Sequence, residues 1–262
     1  VRVPSVSRPC PVRVKSVFLK VLFMPEKIKI QDNEQIVRAL RRRMRGGRRH
    51  TSKMLLWNLT IALSNSLKRY FDFLFSLLGI ILLSPFLLLV AILIKLDSKG
   101  PIIYQQIRVG QYGKHFNFLK FRSMCDNADA MKPELVKFNE SEDAVLFKMK
   151  NDPRVTRFGR FLRKFSIDEL PQLFNVLVGD MSLVGPRPPL PDEVKKYTLE
   201  DRKRLNVRPG ITCIWQTSGR SDTSFQKQVE LDKEYIASKG LLKDLWILIK
   251  TIPAVFSGRG AY

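Results

Sequence analysis

The sequence predicts an α+β fold, mostly helical, for a monotopic membrane protein with a kinked, re-entrant N-terminal membrane helix, a small β-hairpin and interfacial amphipathic helices. Three observations carry that prediction. Residues 73–94 contain no charged side chain and are interrupted in the middle by Ser84-Pro85. Two short runs of strand-forming residues, 102–107 and 115–121, flank a turn at Gly110–Gly113. Further on, apolar residues recur at helical spacing with basic residues between them, as in Phe158, Phe161, Leu162 and Phe165.

The chain has 262 residues, enough for one domain and an extension. Residues 1–66 read as a basic, disordered N-terminal extension and residues 67–262 as the functional domain. The first 70 residues carry 17 Lys+Arg against 3 Asp+Glu, which is most of the formal net charge of +22. Such an excess demands an anionic partner, whether nucleic acid, lipid headgroup or phosphorylated substrate. The basic run Arg41–Arg49 lacks the interleaved aromatic residues of single-strand binders, so anionic lipid is the expected partner and nucleic acid is not. The chain opens on Val1 with no secretory signal after it, and residues 1 to about 60 are expected to include translated leader, or Val1 is a start codon read literally. Cys10, Cys125 and Cys213 are scattered and odd in number, the pattern of reduced thiols facing a cytoplasm. With only His50 and His115, chemistry falls to carboxylates, lysines and arginines.

The uncharged run 73–94 would extend about 33 Å as a straight helix, enough to cross a bilayer core. A spanning helix is therefore one reading. Pro85 argues for another, because it removes a backbone donor and crowds the preceding turn, while Ser84 can bond the freed carbonyl. The flanks also agree in sign: Lys68 and Arg69 precede the run, and Lys95, Lys99 and Arg108 follow it. Positive flanks prefer the cytoplasmic side for both ends, and a kinked helix (67–96) that dips into one leaflet and returns satisfies both facts, beside the spanning reading. Ser84 and Pro85 make the re-entrant break, and Lys68 and Arg69 are expected at the headgroups with Asp72 as their ion-pair partner.

Residues 97–262 form the cytoplasmic part. After the hairpin, residues 125–150 are polar and acidic and read as a helix and a mobile loop. The 157–165 helix has an aromatic face and a basic face, which suits a lipid interface as well as a core. Pro171 is tolerated only in a first helical turn, so the next helix starts near Asp168, with Leu170, Leu173, Phe174 and Leu177 as its apolar stripe and Gly179 as its stop. Pro191 opens a helix expected to reach Leu205. Arg208-Pro-Gly210 is a turn, Ser224 caps a helix to Ala237, and residues 241–256 are apolar nearly all round, interrupted by Pro253.

The most informative residues are Asp168 and Glu169. Ser166 to Glu169 matches a capping box, a common structural device. Three neighbours favour chemistry instead. A helix start favours bound phosphate, Arg163 and the proline-flanked Arg187 suit phosphate contacts, and adjacent carboxylates with no base between them are a Mg²⁺ handle.

The segments Lys68–Asp72, Ser84-Pro85, Lys120–Met124, Asp152–Thr156, Asp168–Gln172, Gly179–Ser182 and Gly185–Pro188 occur in the order found in the bacterial sugar transferase family, the monotopic phosphoglycosyl transferases. The chain resembles that family from about residue 67 to its end. The resemblance implies that Asp168 is the nucleophile and Glu169 its Mg²⁺-associated partner, with both carboxylates near the metal. Arg163, Arg187 and Lys120 would then face phosphates. Residues 208–220 and the terminal Arg259–Tyr262 look like the tail of members using UDP-galactose or UDP-glucose. One departure is Cys213, where such tails more often have glycine.

The activity implied by the resemblance is transfer of a hexose-1-phosphate from a UDP-sugar to undecaprenyl phosphate, with release of UMP and an aspartyl-phosphosugar intermediate. That would be the first membrane step of exopolysaccharide, capsule or O-antigen synthesis, on the cytoplasmic face of a bacterial inner membrane, by a protein with the option of a homodimer. A one-step transfer with Asp168 acting only on the metal fits the same residues. A non-catalytic basic membrane scaffold would behave alike at a membrane, but gives no reason for the two acids beside Arg187.

Overall fold

The computed structural model describes residues 26–140, 149 and 151–258. Residues 1–25 of the expected leader and the terminal Arg259–Tyr262 lie outside them. The chain divides into two units, residues 1–62 and 63–262. In the first, the described backbone is helical from Glu26, whereas disorder is expected from the sequence. The reason is local: no proline falls between Pro25 and Pro85, and Gln, Arg, Leu, Met and Lys are strong helix formers.

That helix, α1 (Glu26–Asp97), passes without interruption through Pro85. Proline at 85 leaves the Ile81 carbonyl without its usual donor, and Ser84 Oγ supplies one at 2.8 Å. From Asn58 to Asp97 the helix is long and apolar enough to cross a membrane, and it is mostly uncovered by the rest of the protein. Leu82, Leu88 and Leu96 are among its most exposed side chains. Val90 and Ile94 instead join a core with Phe121 and Leu162.

The hairpin forms as the alternation predicts. β1 (Ile103–Val109) pairs antiparallel with β2 (His115–Phe121), in register from Ile103 opposite Phe121 to Val109 opposite His115. Helices α2 (Ala128–Leu135) and α3 (Arg157–Lys164) come after it. Residues 141–148 of the expected mobile loop lie outside the described residues. Next come α4 (Gln172–Val178), β3 (Ser182–Val184) and α5 (Pro191–Lys195). The chain ends with β4 (Gly210–Thr212), α6 (Ile214–Ser218), α7 (Phe225–Ala237) and α8 (Leu241–Ser257) among its described elements.

Several local expectations hold. Gly179 ends α4 in the left-handed region at φ 104°, and Ser224 Oγ accepts from Lys227 N to cap α7. Others are corrected. α5 stops at Lys195 rather than near Leu205, because Thr198 and Asp201 bond reciprocally and start a separate 3₁₀ turn, Asp201–Asn206. Residues 208–210 lead into β4, which pairs parallel with β3. The buried face of α4 is Gln172, Asn175 and Val176, not its apolar stripe. Asn175 accounts for this, since its amide accepts from Leu119 N and donates to Asn117 O, fixing α4 against the edge of β2. The stripe stays partly uncovered, with Phe174 exposed.

Candidate active site

Four segments converge on Asp168 and Glu169. Thr156 caps α3 through its hydroxyl, which accepts from Gly159 N at 2.9 Å. Gly159 is required there because a Cβ would lie 2.0 Å from Ser123 O. That close approach lays α3 against the end of β2, where Arg163 Nε donates to Ser123 Oγ at 3.0 Å. The chain then reverses at Ser166, which adopts φ 54° although it is not glycine.

Here the capping box is not formed. Ser166 makes no side-chain cap; its hydroxyl accepts instead from Arg220 Nη2 at 2.9 Å, and Arg220 is itself in the left-handed region at φ 51°. A strained conformation costs of order 1–3 kcal/mol at each such residue, so two of them bonded together beside a carboxylate pair mark a site that the surrounding fold holds in place. Asp168 and Glu169 lie in a 3₁₀ turn, Ile167–Glu169, and α4 starts only at Gln172. The positive potential at the acids therefore comes from side-chain cations rather than from a helix end.

Those cations are largely the expected ones. Lys120, near the end of β2, places Nζ 3.0 Å from Asp168 Oδ2 and 2.8 Å from Glu169 Oε1. Arg187 Nη1 reaches the same Glu169 oxygen at 3.1 Å. The Pro-Arg-Pro segment is fixed by the β3–β4 pair: Gly185 N donates to Thr212 O, and Gly210 N donates to Pro186 O. A Cβ on Gly210 would fall 2.0 Å from Gly185 N, so only glycine permits this approach. Asp168 is 4% exposed. Among the described residues, Asp168 Oδ1 and Glu169 Oε2 accept no hydrogen bond.

Burial would raise the Glu169 carboxyl, but Lys120 and Arg187 outweigh it and hold it at about 2. Burial likewise opposes the charge on Arg187, yet Glu169 raises it above the usual arginine value. Arg163 is lowered, mainly by burial. Arg108, which sequence reasoning missed, donates to Pro188 O at 2.9 Å and lies over the Phe118 ring. Its burial, and then Arg187, bring it down to about 10.

Asp168, Glu169, Lys120, Arg163, Arg187 and Arg220 line one cavity of about 1010 Å³, with Arg108 on its wall. These five cations around the two carboxylates give the cavity the charge that suits an anionic ligand. Arg220 and Ser123 were not singled out from sequence, because their partners lie 54 and 40 residues away. Among the described residues no group of three or more His, Cys, Asp or Glu could hold a metal. A pair of carboxylates with uncommitted oxygens does suit Mg²⁺, which completes its shell with phosphate oxygens and water.

Lys68 and Arg69, expected at the headgroups, each have partners within the protein. Lys68 Nζ lies 2.6 Å from Asp244 Oδ2 and 3.2 Å from Val184 O. Arg69 donates to the carbonyls of Val176 and Leu177 at the end of α4. Asp72 is not their ion-pair partner, since its Oδ1 accepts from Leu183 N at 3.0 Å. Arginine and lysine near open carbonyls at helix and strand ends satisfy groups that would otherwise be orphaned.

Known proteins resemble this chain over most of the described residues. The family model described as bacterial sugar transferase matches residues 63–258. The exopolysaccharide production protein ExoY of Sinorhizobium fredii is 46% identical over 198 residues, covering 74% of this chain and 88% of ExoY. The undecaprenyl-phosphate galactose phosphotransferase of Salmonella typhimurium is 44% identical over 208 residues, covering 78% of this chain but 44% of that protein. The UDP-glucose:undecaprenyl-phosphate glucose-1-phosphate transferase of Klebsiella pneumoniae is 40% identical over 203 residues, with 74% of this chain and 41% of the relative covered. The chain thus spans less than half the length of these last two relatives. It belongs to the bacterial sugar transferase family.

Proposed function

We propose that this protein transfers hexose-1-phosphate, galactose or glucose, from a UDP-sugar to undecaprenyl phosphate on the cytoplasmic face of a bacterial inner membrane. The observation that carries this reading is the pair of buried Asp168 and half-buried Glu169 in a cationic cavity, both acids within 3.0 Å of Lys120 and Glu169 also 3.1 Å from Arg187. A carboxylate there is a nucleophile with its remaining charge balanced, and the surrounding cations suit a diphosphate.

An Asp168 carboxylate oxygen attacks the phosphorus that bears the sugar. The bond from that phosphorus to the bridging oxygen breaks, and UMP leaves with the electron pair. The phosphate oxygen of undecaprenyl phosphate then attacks the same phosphorus, and Asp168 regains its carboxylate. Lys120, Arg163 and Arg187 face the donor's phosphate oxygens, and Arg220 supports the Asp168 turn. Mg²⁺, held by Glu169 and Asp168, would supply further charge neutralisation at the diphosphate. The test is incubation with Mg²⁺, undecaprenyl phosphate and a panel of radiolabelled UDP-sugars. Lipid-extractable label with UMP supports the reading; label with UDP, or none for any sugar, overturns it.

The same reading takes α1 as re-entrant around Ser84-Pro85, placing the cavity at headgroup height. Cysteine probes at Asn65 and Lys99, in a Cys-free background, should both resist an impermeant thiol reagent in intact cells. Replacing Ser84 by Ala and Pro85 by Leu should expose one of them. Labelling of a single probe in the unmodified protein would sink the re-entrant path, though not the carboxylate chemistry.

A further inference from the structure

We infer that Lys68, Asp72, Tyr235 and Asp244 form a positioning device that ties the register of the apolar helix α1 to the placement of Arg187. The inference rests on the proposed reading in one respect, that Arg187 holds the donor's phosphates.

Leu183 and Val184, at the end of β3, are both gripped from α1. Leu183 N donates to Asp72 Oδ1 at 3.0 Å, and Val184 O accepts from Lys68 Nζ at 3.2 Å. Tyr235 OH lies 3.0 Å from Val184 O and 2.8 Å from Asp244 Oδ1, so its proton is shared between two acceptors. Asp244 Oδ2, 2.6 Å from Lys68 Nζ, closes a ring of four groups. Asp72, Tyr235 and Asp244 are all buried. Arg187 comes three residues after Val184, and the other side of that segment is already fixed to β4 through Gly185 N and Pro186 O.

Lys68 and Asp72 are four residues apart, one helical turn on one face, and they meet consecutive residues of β3. A slide of α1 by one turn, about 5.4 Å, would break both contacts together. The arrangement therefore specifies register. A buried ion pair is a poor source of stability, since desolvation offsets most of its attraction and an apolar pair would serve as well; fixing one arrangement among several is its better attested use. Arg69, between them in sequence, grips the end of α4, whose first residue, Gln172, lies shortly after Glu169. The helix that meets the lipid thus holds both chain segments that carry the site, one with Arg187 and one with Asp168 and Glu169.

The test uses the full chain in nanodiscs of phosphatidylcholine, with and without phosphatidylglycerol. Lys68→Met leaves the buried Asp244 without its cationic partner and endangers folding, so the companion variant is Lys68→Met with Asp244→Leu, an apolar replacement of the pair. That double variant should retain the melting temperature, lose about 10²-fold in transfer rate through misplacement of Arg187, and lose it equally with or without phosphatidylglycerol. In an Arg187→Met background the same pair of changes should cost far less, because the group it positions is gone. A rate near wild type, a loss that depends on phosphatidylglycerol, or losses that multiply with Arg187→Met would each overturn the device. Hydrogen exchange at the amides of Leu183, Val184, Gly185 and Arg187 should rise in the double variant whatever the substrate proves to be. A rise there alongside a wild-type protein inactive on every UDP-sugar would spare the device and refute the proposed reaction; unchanged exchange would refute the device.

Discussion

Asp168→Asn is expected to abolish sugar-phosphate transfer, by ~10²-fold or more, while leaving the fold and membrane association intact. Asparagine keeps the shape of the side chain and an oxygen for Lys120, which lies 3.0 Å from Asp168 Oδ2. What it loses is the anionic oxygen, Oδ1, that accepts no hydrogen bond among the described residues and so stays available for attack. The turn around it should survive, because Ser166 is held by Arg220 and not by Asp168. Wild-type protein given UDP-sugar with labelled sugar and no lipid acceptor should become labelled, and Asp168→Asn should not. A variant retaining more than about a tenth of the wild-type rate would remove the nucleophile role and favour one-step transfer with Asp168 on the metal.

Much of this site was legible because its parts lie in short, self-contained segments. Asp168 and Glu169 are adjacent, Arg187 sits between prolines, and Lys120 ends a strand whose alternation is plain. The hairpin, the Gly179 stop and the Ser224 cap are likewise written in a few neighbouring residues. What the sequence hid depends on distant partners. Lys68 and Arg69 look like headgroup residues in any one-dimensional reading, yet their partners lie more than 100 positions away. β3 and β4, of three residues each, are too short to show a period, and their parallel pairing joins segments 28 positions apart. Ser166 invites a capping-box reading, and only the Arg220 contact reveals a left-handed turn instead. In α4 the amphipathic pattern pointed the wrong way: Asn175 spends its amide on β2, so the polar face is buried and the apolar one is left toward α1, where Leu173 approaches Gly79.

Glu169→Gln should be nearly as damaging as the nucleophile change, with a fall of ~10²-fold in rate and a raised Mg²⁺ requirement. One oxygen of Glu169 accepts from both Lys120, at 2.8 Å, and Arg187, at 3.1 Å. Glutamine can still accept a hydrogen bond, but without the charge it no longer offsets two half-buried cations, and its amide group cannot ligate a metal as a carboxylate does. Titration of rate against Mg²⁺ separates these effects, and an unchanged Mg²⁺ dependence would count against the metal role. The acid limb offers an independent check. Because the folded Glu169 carboxyl is held at about 2, below the ~4.3 of an unperturbed glutamate, its charge stabilises the fold fully above that unfolded value. The contribution is then lost as pH falls through the folded one. The stability gap between wild type and Glu169→Gln should therefore be widest near neutrality and close as pH drops from about 4.5 toward 2. A gap that stayed constant across that window would mean that Lys120 and Arg187 do not hold Glu169 as the geometry indicates.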